Sequence, residues 1–169
     1  RPVVAPKAKL YALKVFGDNA TGFTNLALDA LEWCADPNAD NDFDDHMDVV
    51  NISLGSLMGL EEKHKVEAET FSNLNQLGCV VVAGAGNMNN NNFYLVDSPA
   101  VERSVIATAS AKRDGSVYRI TAHSARGPSS PMSLLKPEIT APGELIQSAR
   151  IGTGTGDAWM SGTSFATPL

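Results

Sequence analysis

A short segment near the carboxyl end of the chain, Gly162-Thr163-Ser164, has the residue types of a nucleophile at the start of a helix. Glycine lets the backbone turn tightly, and the free amides of a first helical turn stabilise negative charge beside them. A serine hydroxyl placed there could attack a carbonyl carbon while those amides bind the resulting oxyanion. The same residue types also cap ordinary helices, so the spacing alone leaves a structural role open.

Two further polar side chains follow apolar runs that predict buried strands. Asn87 comes after the run 79–83 and a Gly-Ala-Gly turn, and Ser53 lies near the end of the run 48–54. In an open parallel sheet the working residues cluster at the carboxyl ends of the strands. We therefore expect these side chains to meet at one edge of a sheet.

The segments that must position these residues alternate between strand and helix patterns. Strands are predicted for 9–16, 48–54 and 79–83, and amphipathic helices for 24–36 and 61–77. Such alternation favours an α/β fold with a mostly parallel sheet covered by helices on both faces.

Beyond residue 100 the chain shows short strand patterns and few helical ones. Strands are predicted for 105–109 and 117–120, and the Gly-Thr repeat at 152–156 is interpreted as a flexible connector. That repeat lacks the Lys and the preceding strand of a phosphate-binding loop.

Composition narrows the classes of function. The chain has 169 residues, 43% of them hydrophobic, and a net charge of −6. The length predicts one compact domain or part of one, and the charge argues against a nucleic-acid partner. No apolar run is long enough to span a membrane. Cys34 and Cys79 lack the spacing of metal or redox motifs, so we expect two inert core thiols.

The segment from Met160 to Pro168, Met-Ser-Gly-Thr-Ser-Phe-Ala-Thr-Pro, closely resembles the nucleophile motif of the subtilisin-like serine proteases, or subtilases. Five more blocks resemble that family and occur in its order: 4–17, 48–55, 80–87, 124–128 and 135–143. The resemblance implies a three-layer subtilisin-like α/β fold, incomplete at both ends, and a secreted endopeptidase that needs no cofactor for its chemistry.

The resemblance also implies roles for individual residues. Ser164 matches the family's nucleophile, and Asn87 matches the asparagine whose amide helps to bind the oxyanion. Two backbone segments would flank the substrate residue P1, whose carbonyl is attacked: Ser53, Leu54 and Gly55, and Gly84, Ala85 and Gly86. One of these segments would pair with the peptide as an added strand.

Two parts of the family's active site have no counterpart in the chain. The Asp-Ser/Thr-Gly and His-Gly-Thr-His segments that carry the acid and the base do not occur, and His46, His64 and His123 are expected to be surface or structural residues. We expect an upstream segment of the same protein to supply the acid and base and the isolated chain to be inactive. The alternative is a non-catalytic module, derived from this fold, that binds peptides.

The chain also departs from the family's motif within the nucleophile block. Phe165 replaces the usual methionine, and Leu169 stands where the family normally has histidine. The second departure concerns the final position of the motif rather than the nucleophile.

An acidic loop follows the first predicted helix and places oxygen-bearing side chains at alternate positions: Asp36, Asn38, Asp40 and Asp42. Such oxygen ligands suit Ca²⁺, and subtilases often bind calcium. The loop fails the EF-hand pattern, because Asn41 takes the glycine position and Met47 takes the glutamate position. A structural calcium site and a merely solvated acidic turn both remain open.

Overall fold

The computed structural model describes residues 4–17, 26–56, 65–87, 95–129 and 134–169. Within them the helices are α1 (Leu26–Ala35), α2 (Lys65–Leu77) and α3 (Thr163–Ala166), with a 3₁₀ turn at Phe43–Asp45. The strands are β1 (Val49–Ile52), β2 (Val80–Gly84), β3 (Ile106–Asp114), β4 (Val117–Ile120), β5 (Ile139–Pro142), β6 (Ile146–Ala149) and β7 (Asp157–Met160).

Five of these strands form one mixed sheet, in which β1, β2, β3 and β5 run parallel. The register pairs Val50 with Val81 and Ala83 with Ala107, and β4 returns antiparallel along the end of β3. Because parallel strands end at the same edge, the loops after β1 and β2 lie side by side. This edge carries the candidate site.

Helices cover the sheet on both faces, which gives the expected three layers. Val81 and Ala83 of β2 are fully buried in a core with Leu31 of α1 and Leu74 of α2. Since side chains alternate along a strand, Gly84 lies on the opposite face of the sheet from Val81 and Ala83. A Cβ added there would lie 3.0 Å from the hydroxyl oxygen of Thr163 in α3.

The predicted helices are confirmed over their described parts, since residues 24–25 and 61–64 lie outside the described ranges. The predicted strands from 48–54 to 117–120 overlap β1 to β4, but the predicted strand at 9–16 is wrong. Residues 9–16 form no strand and are mostly exposed. A gap of about 500 Å³ lies among this segment, α1 and β1. Tyr11 still contacts Trp33 of α1, with ring centroids 5.6 Å apart. Strand-forming side chains alone do not make a strand, because a ladder needs hydrogen-bonding partners.

The connector predicted at 152–156 is the turn of a hairpin. Strands β6 and β7 pair antiparallel on either side of it, and the Arg150 amide donates to the Gly156 carbonyl. Gly152 and Gly154 adopt positive φ angles of 74° and 72°, which glycine accepts without strain. The Gly-Thr repeat therefore has a defined conformation as a turn.

Both cysteines are free and buried, as expected of core thiols. Burial raises the pKa of Cys34 to about 11, and the nearby Cys79 adds to the shift. Burial likewise raises the pKa of Cys79. Both thiols therefore stay protonated near neutral pH and are poor nucleophiles. No helix in the described part of the chain has the length and apolarity needed to cross a membrane.

A buried lysine connects the loop before β3 to the loop before β5. The Lys136 side chain is 1% exposed, and its ammonium group donates to the carbonyls of Glu102 and Val105. It also pairs with the Glu138 carboxylate at 2.8 Å, and the other oxygen of that carboxylate accepts from the Ala107 amide. One cation thus holds three oxygen atoms that would otherwise face one another.

We expect Lys136→Met to lower the free energy of unfolding by about 3 kcal/mol, because it leaves two carbonyls and a carboxylate without their donor. Urea unfolding followed by circular dichroism measures this loss. Lys112→Met is the matched control, since Lys112 is 46% exposed and pairs with Glu144 at 3.5 Å. The control should change stability by about 0.5 kcal/mol or less. Equal losses for both variants would contradict the prediction.

Candidate active site

A cleft of about 220 Å³ lies where β1 and β2 end. Seven of the eight residues predicted for the catalytic and substrate sites line it: Ser53, Leu54, Gly55, Gly84, Gly86, Asn87 and Ser164. The eighth, Ala85, is fully buried beside them and does not line the cleft. Residues as far apart in sequence as Ser53 and Ser164 therefore share one concave surface.

Ser164 lies in the first turn of α3, as the glycine before it and its position in the motif predict. Gly162 is the N-cap, and its amide donates to the Gly143 carbonyl at 2.8 Å, which attaches the turn to the loop after β5. The Phe165 amide donates to Gly162. The backbone amide of Ser164 has no partner among the described residues, so it is available to an oxyanion.

Asn87 is oriented by the residue before Ser164. Its Oδ1 accepts from the Thr163 amide at 2.8 Å and from the Thr163 hydroxyl at 3.2 Å. These bonds identify Oδ1 as the acceptor, so Nδ2 is the donor that remains. Gly162 permits this approach, because a Cβ added there would lie 3.3 Å from Nδ2. The side-chain amide is thus fixed from one side and can donate from the other.

A second contact fixes the carbonyl of Ser164. In a continuing helix that carbonyl would accept from the residue four positions on, which is Pro168 and has no amide hydrogen. The Ser53 hydroxyl donates to it instead, at 2.9 Å. The side-chain amide of Asn51 (Nδ2) in turn donates to the Ser53 hydroxyl oxygen at 3.0 Å. The single hydroxyl proton of Ser53 is therefore directed to the Ser164 carbonyl.

The two predicted substrate segments differ in what their backbones can offer. The Ala85 amide donates to Thr108 and its carbonyl accepts from Asp97, while the Gly86 carbonyl accepts from Ala125. No described residue makes a backbone hydrogen bond with residues 53–55. If a peptide adds as a strand, the segment 53–55 is the one with free backbone groups.

Asp97, which no sequence pattern singled out, also lines the cleft. This carboxylate is 8% exposed, and a Cβ added at Gly86 would lie 2.6 Å from its Cγ. An aspartate directly before Ser98-Pro99 had no distinguishing sequence pattern. Its only possible signal was the Gly-Ala-Gly turn, which shows that something packs closely against that backbone.

The two histidines in the described part of the chain, His46 and His123, do not complete a catalytic triad. His46 Nδ1 lies 3.0 Å from the Met47 carbonyl, and His123 Nε2 lies within 3.2 Å of the hydroxyls of Thr121 and Ser110. Burial lowers the pKa of His123, although Glu144 opposes the shift. No histidine in the described ranges lines the cleft, and His64 lies outside them.

The side chains of the acidic loop are occupied by its own backbone. Asp36 accepts from the amides of Asp40 and Asn41, and Asn38 accepts from Asp40 at 2.9 Å. Asp40 accepts from the Asp42 amide, and Asp42 caps the 3₁₀ turn. Across the described residues, no group of three acidic, His or Cys side chains is placed to hold a metal. Calcium binding by this loop stays a prediction without geometric support.

We expect Ser53→Ala to lower the free energy of unfolding by about 1 kcal/mol, because the Ser164 carbonyl loses its donor. Pro168→Ala should reduce that loss. The Thr167 amide already donates to Thr163, so the helical path continues and an alanine amide at 168 can reach Ser164. A double-mutant cycle by urea unfolding measures the coupling. An equal Ser53→Ala loss in both backgrounds would contradict this account.

The comparisons with known proteins agree with this geometry. The model of the subtilase family (Peptidase S8) matches residues 3–169. A thermostable alkaline protease of Halalkalibacterium halodurans is 32% identical over 98% of this chain and 38% of its own length. Subtilisin E of Bacillus subtilis is 34% identical over 98% of this chain and 37% of its own length. The chain thus spans less than two fifths of these relatives.

A solved structure titled S41 psychrophilic protease superposes with a TM-score of 0.78 at 27% identity, over 98% of this chain and 52% of that one. The similarity therefore extends from the motifs to the arrangement of the sheet and helices. Since the family model covers nearly all of its residues, this chain belongs to the subtilase family of serine proteases.

Proposed function

We propose that the protein containing this chain is a secreted serine endopeptidase and that Ser164 is its nucleophile. The observation that carries the proposal is the arrangement of Ser164 and the Asn87 amide around one cleft, with the first amides of α3 beside them. Such a set of donors suits the tetrahedral intermediate of acyl transfer, in which negative charge develops on the former carbonyl oxygen.

The reaction proceeds in two halves. The Ser164 hydroxyl oxygen attacks the P1 carbonyl carbon while its proton passes to a base, and Asn87 Nδ2 and the Ser164 amide donate to the oxyanion. Collapse of this intermediate expels the amine, which takes the proton from the base, and leaves an acyl ester on Ser164. Water then attacks the ester by the same route and releases the acid.

The base and its orienting acid come from an upstream segment of the same protein in this proposal. Neither His46 nor His123 lines the cleft, and a serine hydroxyl without a base is a poor nucleophile at neutral pH. The gap of about 500 Å³ beside β1, which also exposes Val49 at that edge, offers a place for added structure next to the cleft.

Substrate binding in this proposal uses the free backbone of residues 53–55. A peptide in extended conformation would pair with these residues as an added strand and bring its P1 carbonyl to Ser164. The contact from the Ser53 hydroxyl to the Ser164 carbonyl links the substrate segment to the nucleophile turn. In this proposal, substrate binding at residues 53–55 is therefore coupled to the position of the Ser164 turn.

The proposal predicts that the isolated chain does not react with a fluorophosphonate probe, whereas the native protein, with its upstream segment, is labelled on Ser164. Intact-protein mass spectrometry and peptide mapping measure the labelling. Ser164→Ala in the native protein is the control and should abolish it. Stoichiometric labelling of Ser164 in the isolated chain would contradict the need for an upstream base. A native protein that binds peptides without being labelled would favour a non-catalytic peptide-binding module.

The oxyanion role predicts that Asn87→Asp lowers kcat of the native protein by about 10²–10³-fold with little change in KM. This magnitude is the one measured for the corresponding asparagine of a subtilisin and is carried over to this chain. The aspartate keeps an acceptor for the Thr163 amide but removes the Nδ2 hydrogens. Steady-state hydrolysis of chromogenic peptides gives the two constants. A proportional rise in KM at constant kcat would indicate a substrate-binding role instead.

A further inference from the structure

We propose that Asp97 makes the cleft selective for substrates with a cationic P1 side chain, lysine or arginine. The inference rests on the proposed endopeptidase function and adds a substrate class to it. Among the described residues that line the cleft, Asp97 alone carries a charge.

The position of Asp97 relates it to both segments predicted to flank P1. A Cβ added at Gly86 would lie 2.6 Å from its Cγ, and a Cβ added at Gly55 would lie 3.5 Å from its Cβ. The Asp97 amide also donates to the Ala85 carbonyl at 3.0 Å, which fixes its backbone to the second segment. The carboxylate therefore lies between the two segments, in the same cleft as Ser164.

The cleft of about 220 Å³, which Asp97 lines together with both segments, offers space for a long P1 side chain beside that carboxylate. Gly55 and Gly86 contribute backbone rather than side chains to its walls. An unbranched or planar cationic side chain can lie between two such surfaces. Its charged end would then meet Asp97 within a largely desolvated space.

Burial strengthens the preference in two ways. Charges interact more strongly in a cleft than in water, so a cation gains more from Asp97 there than it would at the surface. A neutral P1 side chain of the same size instead lies beside the carboxylate without adding a positive charge. The net charge of −6 also attracts cationic peptides over longer distances.

The test compares isosteric P1 residues in the native protein. Chromogenic peptides that differ only in P1, with arginine against citrulline and lysine against 2-aminoheptanoic acid, give kcat/KM for charged and neutral side chains of the same length. We expect the cationic peptides to be cleaved about 10²-fold better. Asp97→Asn should remove most of that ratio, chiefly by lowering kcat/KM for the cationic peptides. Equal rates on arginine and citrulline peptides in the wild type would overturn the inference.

A binding measurement separates this inference from the proposed chemistry. Product-like peptides that end in arginine or citrulline are titrated by calorimetry into the native protein carrying Ser164→Ala, which needs no catalysis. Tighter binding of the arginine peptide, lost in the Ser164→Ala/Asp97→Asn double variant, supports the inference even if no peptide is hydrolysed. Hydrolysis without a charge preference, or equal binding of the two peptides, overturns the role of Asp97. Neither result contradicts the proposed endopeptidase function, which the labelling of Ser164 tests separately.

Discussion

The end of strand β2 is held against the first turn of helix α3 by the hydrogen bonds between Asn87 and Thr163, and the site depends on this junction. The Thr163 hydroxyl also accepts from the Gly86 amide, so one threonine contacts two consecutive residues of the loop. With its acceptor oxygen engaged, Asn87 has only its donor left for the cleft. The same turn brings Ser164 beside that donor, although 76 residues separate Asn87 from Thr163.

This junction is possible because glycines stand where the backbone must approach other groups closely. Gly84 ends β2 on the face that meets α3, where a Cβ would lie 3.0 Å from the Thr163 hydroxyl oxygen and 3.3 Å from that of Thr167. Two residues further on, Gly86 approaches the Asp97 carboxylate more closely still, at 2.6 Å between an added Cβ and Cγ. Glycine therefore acts at both positions by permitting contact, first between a strand and a helix and then between a strand end and a charged group.

The disagreements with the sequence-based predictions share one physical origin. The residue types at 9–16 favour a strand, but a strand also requires a hydrogen-bonded ladder with a neighbouring strand, and residues 9–16 form no such ladder. The Gly-Thr repeat at 152–156 looked unstructured, yet pairing between β6 and β7 gives it a defined turn. In both cases the conformation depends on strand pairing outside the segment itself.

The sequence by itself determined the alternation of strands and helices, the family, and the candidate roles of Ser164 and Asn87, because these follow from local periodicity and from a long motif. Only the tertiary structure decided which atom of Asn87 faces the cleft and which substrate segment keeps a free backbone. It also placed Asp97 between the two segments. Hydrogen-bond direction and the position of a lone charge depend on distances between residues remote in the chain, and those distances exist only once the sheet has formed.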